Sequence, residues 1–236
     1  MDTFDGILIS IGKIEIPIHA SIINWLVICL IFGILFVVVG KKFEKADASQ
    51  APKGILLIGE IVAGLCRNII GENLKKTTDH YLPFFGTLIM IMAVSNLLGL
   101  LGLQPPTSNL SVNVTLAIMM FLLIQYTNIK ENGLVNRLKQ WLEPYAFLAP
   151  LNVIGDLALP ISLSLRLFGN LLAGTIIMSL MYSLLKEMMP FGIAGFVVTP
   201  LLHAYFDVFS GLIQTYIFFT LASFFLSEAQ LQDEED

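Results

Sequence analysis

Arg166 is the one charge inside an apolar run that extends from Ile161 to Leu185. A guanidinium keeps its proton in a protein, so it cannot escape the cost of leaving water by neutralising itself. At the centre of a bilayer that cost is about 2.5–3.5 kcal/mol on insertion scales. Such a charge calls for a carboxylate or another anion as partner. On a helix, Ser162, Arg166, Asn170 and Ala173 share one face. A second apolar run carries His203, Asp207, Ser210 and Gln214, again spaced by about whole helical turns. Side chains of these types pass protons directly or hold the water that does. Two neighbouring helices would thus offer a relay with one fixed positive charge among its members. The small residues Ala173 and Gly174 would let another helix come close.

Plainer assignments exist for each residue. Ser162, Ser164, Asn170 and Gln214 could serve as interhelical hydrogen-bonding groups, contributing about 0.6 kcal/mol each. His203 and Asp207 could simply neutralise one another, and Arg166 could pair with Asp207 or Asp156. Buried pairs stabilise weakly, so stability alone is a poor reason to keep one. His203 and Asp207 have too few other ligands in reach to make a metal centre, and no cofactor motif is present. Cys29 and Cys66 lie in apolar segments and imply no disulfide framework.

The elements that must position these residues are membrane spans. Of 236 residues, 56% are hydrophobic and 13% charged, about half the charge of a soluble domain. No basic stripe or aromatic platform suggests nucleic acid. The pattern predicts an all-α polytopic membrane protein forming a single membrane domain. It has about five membrane-embedded helices and one interfacial amphipathic helix. An external N-terminus (1–20) precedes a first span over 21–40, closed by Lys41 and Lys42. Residues 52–74 form the interfacial helix, with Ile55, Ile58, Val62, Leu65 and Ile69 in helical register and Glu60 and Arg67 interrupting. Spans over 81–103 and 113–129 follow, then a polar stretch 130–150 carrying Trp141 and Tyr145.

The last two apolar segments, 151–185 and 191–226, join at Lys186–Pro190, with a tail over 227–236. Each is about 50 Å long if helical, against a hydrocarbon core of about 30 Å. Either Pro160 and Pro200 break them, or they form a long, steeply tilted hairpin. Basic residues concentrate in the linkers after the first and third spans, which puts the N-terminus outside and the acidic C-terminus in the cytoplasm.

The run Ser162-Leu-Ser-Leu-Arg-Leu-Phe-Gly-Asn-Leu-Leu-Ala-Gly174 resembles the signature helix of subunit a of the rotary F-type ATP synthases. The likeness extends through Pro83–Thr87, Asn96–Leu100, Pro105–Thr107, Val114–Ala117 and Gln214–Phe218. Residues 1–79 match in topology more than in motif. The resemblance implies a non-catalytic stator subunit in the plasma membrane of a bacterial cell, with no ATP chemistry on this chain. Its partners would be the lipid bilayer, a rotating ring of c subunits and the b-subunit peripheral stalk. It implies that Arg166 is the essential arginine facing the ring carboxylates. Two half-channels would carry H⁺ or Na⁺, with Asn170 and Gln214 as family polar residues beside them.

One position departs from the family. A carboxylate often stands nine residues after the arginine, where this chain has Thr175. Asp207 lies two turns before Gln214, where the family often places a residue facing that carboxylate. The expectation is that Asp207, helped by His203, replaces it in the outer half-channel. A rival is a secondary transporter using Arg166 for an anionic substrate and Asp207 for a coupling proton, although no internal repeat supports it. An intramembrane hydrolase lacks a serine–histidine or paired-aspartate motif on facing spans.

Overall fold

A computed structural model describes residues 6–11, 14–46, 51–143, 145–188 and 193–230. The joint between the last two apolar segments and the acidic tail therefore lie largely outside the described residues. Two short strands, β1 (Gly6–Ile11) and β2 (Ile14–His19), pair antiparallel, with Gly6 opposite His19 and Ile11 opposite Ile14. Beyond them the described residues are mostly helical. The helices are α1 (Ala20–Glu44), α2 (Ile55–Leu74), α3 (Thr78–Leu97), α4 (Leu110–Leu142), α5 (Ala149–Met188), α6 (Ile193–His203) and α7 (Gly211–Glu228). A π-helical stretch, Ala204–Ser210, joins α6 to α7. Among the described residues, five segments are long and apolar enough to cross a membrane, Ala20–Glu44, Ile55–Leu101, Leu110–Leu142, Ala146–Leu185 and Val198–Glu228.

The core lies where α2, α3, α4 and α7 meet. Ile70, Phe85, Met92, Met120, Phe218, Phe219 and Leu226 are buried there, and Leu163 and Leu167 enter from α5. Lipid is as apolar as these side chains, so packing and polar bonds, more than water exclusion, must hold such a bundle together. A polar network does so around Asn96. Its Nδ2 donates to the Gly211 carbonyl at 3.1 Å and to Thr215 Oγ1 at 3.0 Å, while Thr107 donates to its Oδ1 at 2.6 Å. Asn113 in turn donates to the Thr107 carbonyl at 2.7 Å. The motif residues Asn96 and Thr107 thus brace the start of α7 against the end of α3.

The ends of the helices sort into two groups. At one end Asn24 of α1 donates to the Gln104 carbonyl, and Asn109 donates to Ser21. At the other, Asn73 of α2 donates to Ser223 and to the Thr220 carbonyl of α7, and Asn132 of α4 donates to the Ala229 carbonyl. α2 folds back on α3, with Gly71 against Thr78 and Cys66 against Gly86. Its buried stripe is Cys66, Ile70 and Leu74, one turn apart. Ile55, Ile58 and Leu65, read from the sequence as part of one apolar face, are instead exposed.

Two differences from the sequence reading have local causes. The stretch 130–150 is largely helical, because α4 continues to Leu142 after a break at Gly133. Gly133 has φ 78° and ψ 156°, a region that only glycine occupies at low cost. The chain reverses there, so Arg137 reaches Gln125 and Asn128 reaches Gln140. The second difference concerns the long segments. α5 runs unbroken through Pro160 for 40 residues. α6 likewise continues through Pro200, and the irregularity comes later, in the π-helical stretch.

A polar cavity and an unpaired arginine on the terminal hairpin

α5 and the α6–α7 segment run antiparallel. Tyr182 bonds His203, Gly174 meets Phe206, and Asn170 bonds Gln214. Between them and the end of α3 lies a cavity of about 540 Å³. It is lined by His203, Asp207, Ser210 and Gln214, the whole of the second predicted stripe, but of the first stripe only by Asn170; Ser162, Arg166 and Ala173 do not line it. Thr175 also lines it, its hydroxyl turned back to the Leu172 carbonyl at 2.9 Å. The residues Gly102–Pro105, which follow α3, close one end.

Inside the cavity the polar groups connect. His203 Nδ1 lies 2.5 Å from Asp207 Oδ2, and His203 Nε2 lies 2.6 Å from Tyr182 Oη. With the ring proton on Nδ1, the imidazole donates to the carboxylate and accepts from the phenol. Tyr182–His203–Asp207 is then a continuous hydrogen-bonded chain. Beside this chain of groups, Asn170 Nδ2 donates to Gln214 Oε1 at 2.5 Å. Gln214 is buried, and its own Nε2 has no acceptor among the described residues. A buried donor beside a roomy cavity that carries several polar side chains is the kind of group that ordered water satisfies.

Tyr182 was not singled out from sequence, although Asn170, Gly174, Met178 and Tyr182 recur every fourth position and all line the cavity. Following the Asn170 stripe outward would have found it.

Arg166 lies apart from this chain. It is half-buried, and its helical neighbours Ser162, Leu165, Gly169 and Asn170 are all exposed. Among the described residues no hydrogen bond or ion pair holds its guanidinium. Neither sequence candidate serves as partner: Asp207 is held by His203, and Asp156 by Arg137. Arg137 is engaged on several sides. It bonds Gln125 at 3.1 Å and Gln140 at 2.8 Å, pairs with Asp156, and stacks over Trp141 at 5.3 Å. Trp141 donates to the same Asp156 oxygen at 2.8 Å.

This cluster borders a second cavity of about 470 Å³, lined by Gln125, Asn128, Arg137, Gln140, Asp156 and Glu228 among others. Along α5 the two cavities are bounded by Asn170 and Leu159, and along α7 by Gln214 and Phe225. Both gaps are eleven positions, or about 16 Å of helix. The intervening Leu163, Leu167, Phe218, Phe219 and Ala222 are all buried, and Arg166 stands at this level.

A multi-pass membrane protein with two polar cavities along a long helical pair, and a lone arginine between their levels, defines the class. The family model described as ATP synthase A chain matches residues 21–227. ATP synthase subunit a 2 of Acaryochloris marina is 34% identical over 211 residues, covering 88% of this chain and 85% of that protein. ATP synthase subunit a 2 of Bradyrhizobium sp. is 32% identical over 227 residues, covering 94% and 93%. ATP synthase subunit a of Moorella thermoacetica is 30% identical over 205 residues, covering 86% and 87%. The chain belongs to the ATP synthase subunit a family.

Proposed function

We propose that this chain is the ion-conducting stator of the membrane sector, with two half-channels offset across Arg166. The observation that carries this reading is a guanidinium with no partner among the described residues, on an exposed and largely apolar face. Ile154, Leu157, Ile161, Leu165, Leu172, Ile176 and Leu180 extend that exposed surface along α5. A permanent cation there needs an anion from another chain, and a carboxylate on a passing ring subunit is one that can arrive and leave.

On this reading the cavity around Asp207 is the outer half-channel and the cavity beside Glu228 the inner one. An ion enters past Tyr182, His203 and Asp207, passes Asn170 and Gln214, and loads a ring carboxylate. After nearly a full turn of the ring, the carboxylate releases it toward the inner cavity. Arg166 stabilises the ionised carboxylate in between, and its fixed charge repels a cation taking the direct route through the 16 Å of packed helix. Each charge crossing 100 mV releases about 2.3 kcal/mol, so several must be collected for each ATP.

Supporting the orientation, the Gly102–Pro105 end is poor in basic residues whereas Lys75, Lys76, Lys130 and Lys139 lie toward the other. A 40-residue α5 spans about 60 Å, twice the hydrocarbon core, which favours an oblique course for the hairpin. An interfacial place for α2 is supported by its contacts. Gly59 meets Phe43 at the close of α1, and Asn73 meets the last turns of α7.

Mild solubilisation of native membranes tests the assignment. The chain should co-purify with a ring of small hairpin subunits and a peripheral stalk, and the complex should acidify vesicles when given ATP. Substrate-stimulated transport by the purified chain alone, with no ring attached, would support a secondary transporter instead.

A further inference from the structure

Among the described residues, Asp207 is the only carboxylate lining the outer cavity. One side of it is set by His203. The other side is set by a residue without a side chain. Gly99 lies in the 3₁₀ turn Leu98–Leu101 that ends α3. A Cβ placed on Gly99 would stand 3.1 Å from Asp207 Cγ, 3.2 Å from Oδ1 and 3.4 Å from Oδ2. The whole carboxylate therefore rests on bare backbone.

The surrounding contacts hold the backbone that carries this carboxylate. Asp207 is in the middle of the π-helical stretch, a conformation that recurs at functional sites inside α-helices. Glycines flank the stretch on both sides. Gly174 of α5 admits Phe206, with a built Cβ at 3.4 Å from its ring, and Gly211 admits Asn96, at 3.0 Å from its Cβ. Asn96 is itself fixed by three hydrogen bonds, and it precedes Gly99 by one helical turn. The network that braces α7 thus also holds the floor under Asp207.

We infer that Gly99 is a positioning residue for the outer half-channel. Its bare backbone seats the Asp207 carboxylate between His203 and the cavity, and a side chain at 99 displaces it. This rests on the reading of Asp207 as the ion-accepting group of that path.

The test is a double-mutant cycle on the whole complex in vesicles, reading ATP-driven proton pumping per assembled complex. Gly99→Ala should lower pumping several-fold with ring and stalk content unchanged. In an Asp207→Asn background, adding Gly99→Ala should cost nothing more, because the group that it displaces is already disabled. Wild-type pumping by Gly99→Ala, or losses that multiply in the double variant, would overturn the seating role while leaving Asp207 in place. Unchanged pumping by Asp207→Asn alone would instead remove the reading beneath it. Should Gly99→Ala prevent assembly, Asp207→Glu asks the same question with position 99 intact. The longer side chain keeps the charge but does not fit the seat, so pumping should fall several-fold, and full pumping would contradict the proposal.

Discussion

Arg137 and Arg166 are chemically identical and lie on neighbouring helices, yet the chain treats them in opposite ways. Arg137 is bound by Gln125, Gln140, Asp156 and Trp141. Arg166 has no hydrogen-bond or ion-pair partner among the described residues. From sequence Asp156 was a candidate for Arg166, and nothing in the order of residues could reassign it. The reassignment depends on the chain reversing at Gly133, which carries Arg137 back beside Asp156. The stripes themselves were legible, because a polar residue every turn in an apolar helix is conspicuous. Tyr182 was harder, since a tyrosine near a span end reads equally well as an interfacial anchor. At this scale, Asp207→Asn should reduce ion-driven ATP synthesis by about a hundredfold, at the lower end of what losing a proton-transfer group costs. Tyr182→Phe removes one hydrogen bond, about 1 kcal/mol. It should slow synthesis only a few-fold, measured in the same vesicles.

Helices α3, α4 and α7 depend on devices that sequence reveals unevenly. The Asn96 and Thr107 motifs carried the family resemblance, but their purpose is visible only when Asn96 is seen bridging Gly211, Thr215 and Thr107. They are architectural first. Thr107→Val leaves the Asn96 carbonyl oxygen without its donor in a buried site, which costs about 1–3 kcal/mol. The expected result is a lower melting temperature of the detergent-solubilised complex, with Asn96→Ala worse because it severs three bonds. Gly133→Ala forces a side chain into φ 78°, ψ 156°, at a cost of about 1–3 kcal/mol. Limited proteolysis around residues 130–145 should then accelerate, while a uniform cleavage rate would show that the reversal tolerates alanine.

Across the whole molecule, the expected all-α membrane fold is present, and composition and run length were enough to find it. The β1–β2 pair was not anticipated, although isoleucine at every second position on either side of Gly12 is a hairpin pattern. The offset between the two cavities could not be read from sequence at all. Periodicity places residues on helix faces, but only packing shows that equal lengths of α5 and α7 separate the two cavities by closely packed helix at the level of Arg166. The central claim is that Arg166 couples these spaces through a carboxylate on another chain. ATP-driven proton pumping by the Arg166→Ala complex, assembled to wild-type content in vesicles, tests it most directly. Pumping and ion-driven synthesis should both vanish, whereas pumping at the wild-type rate would contradict the account.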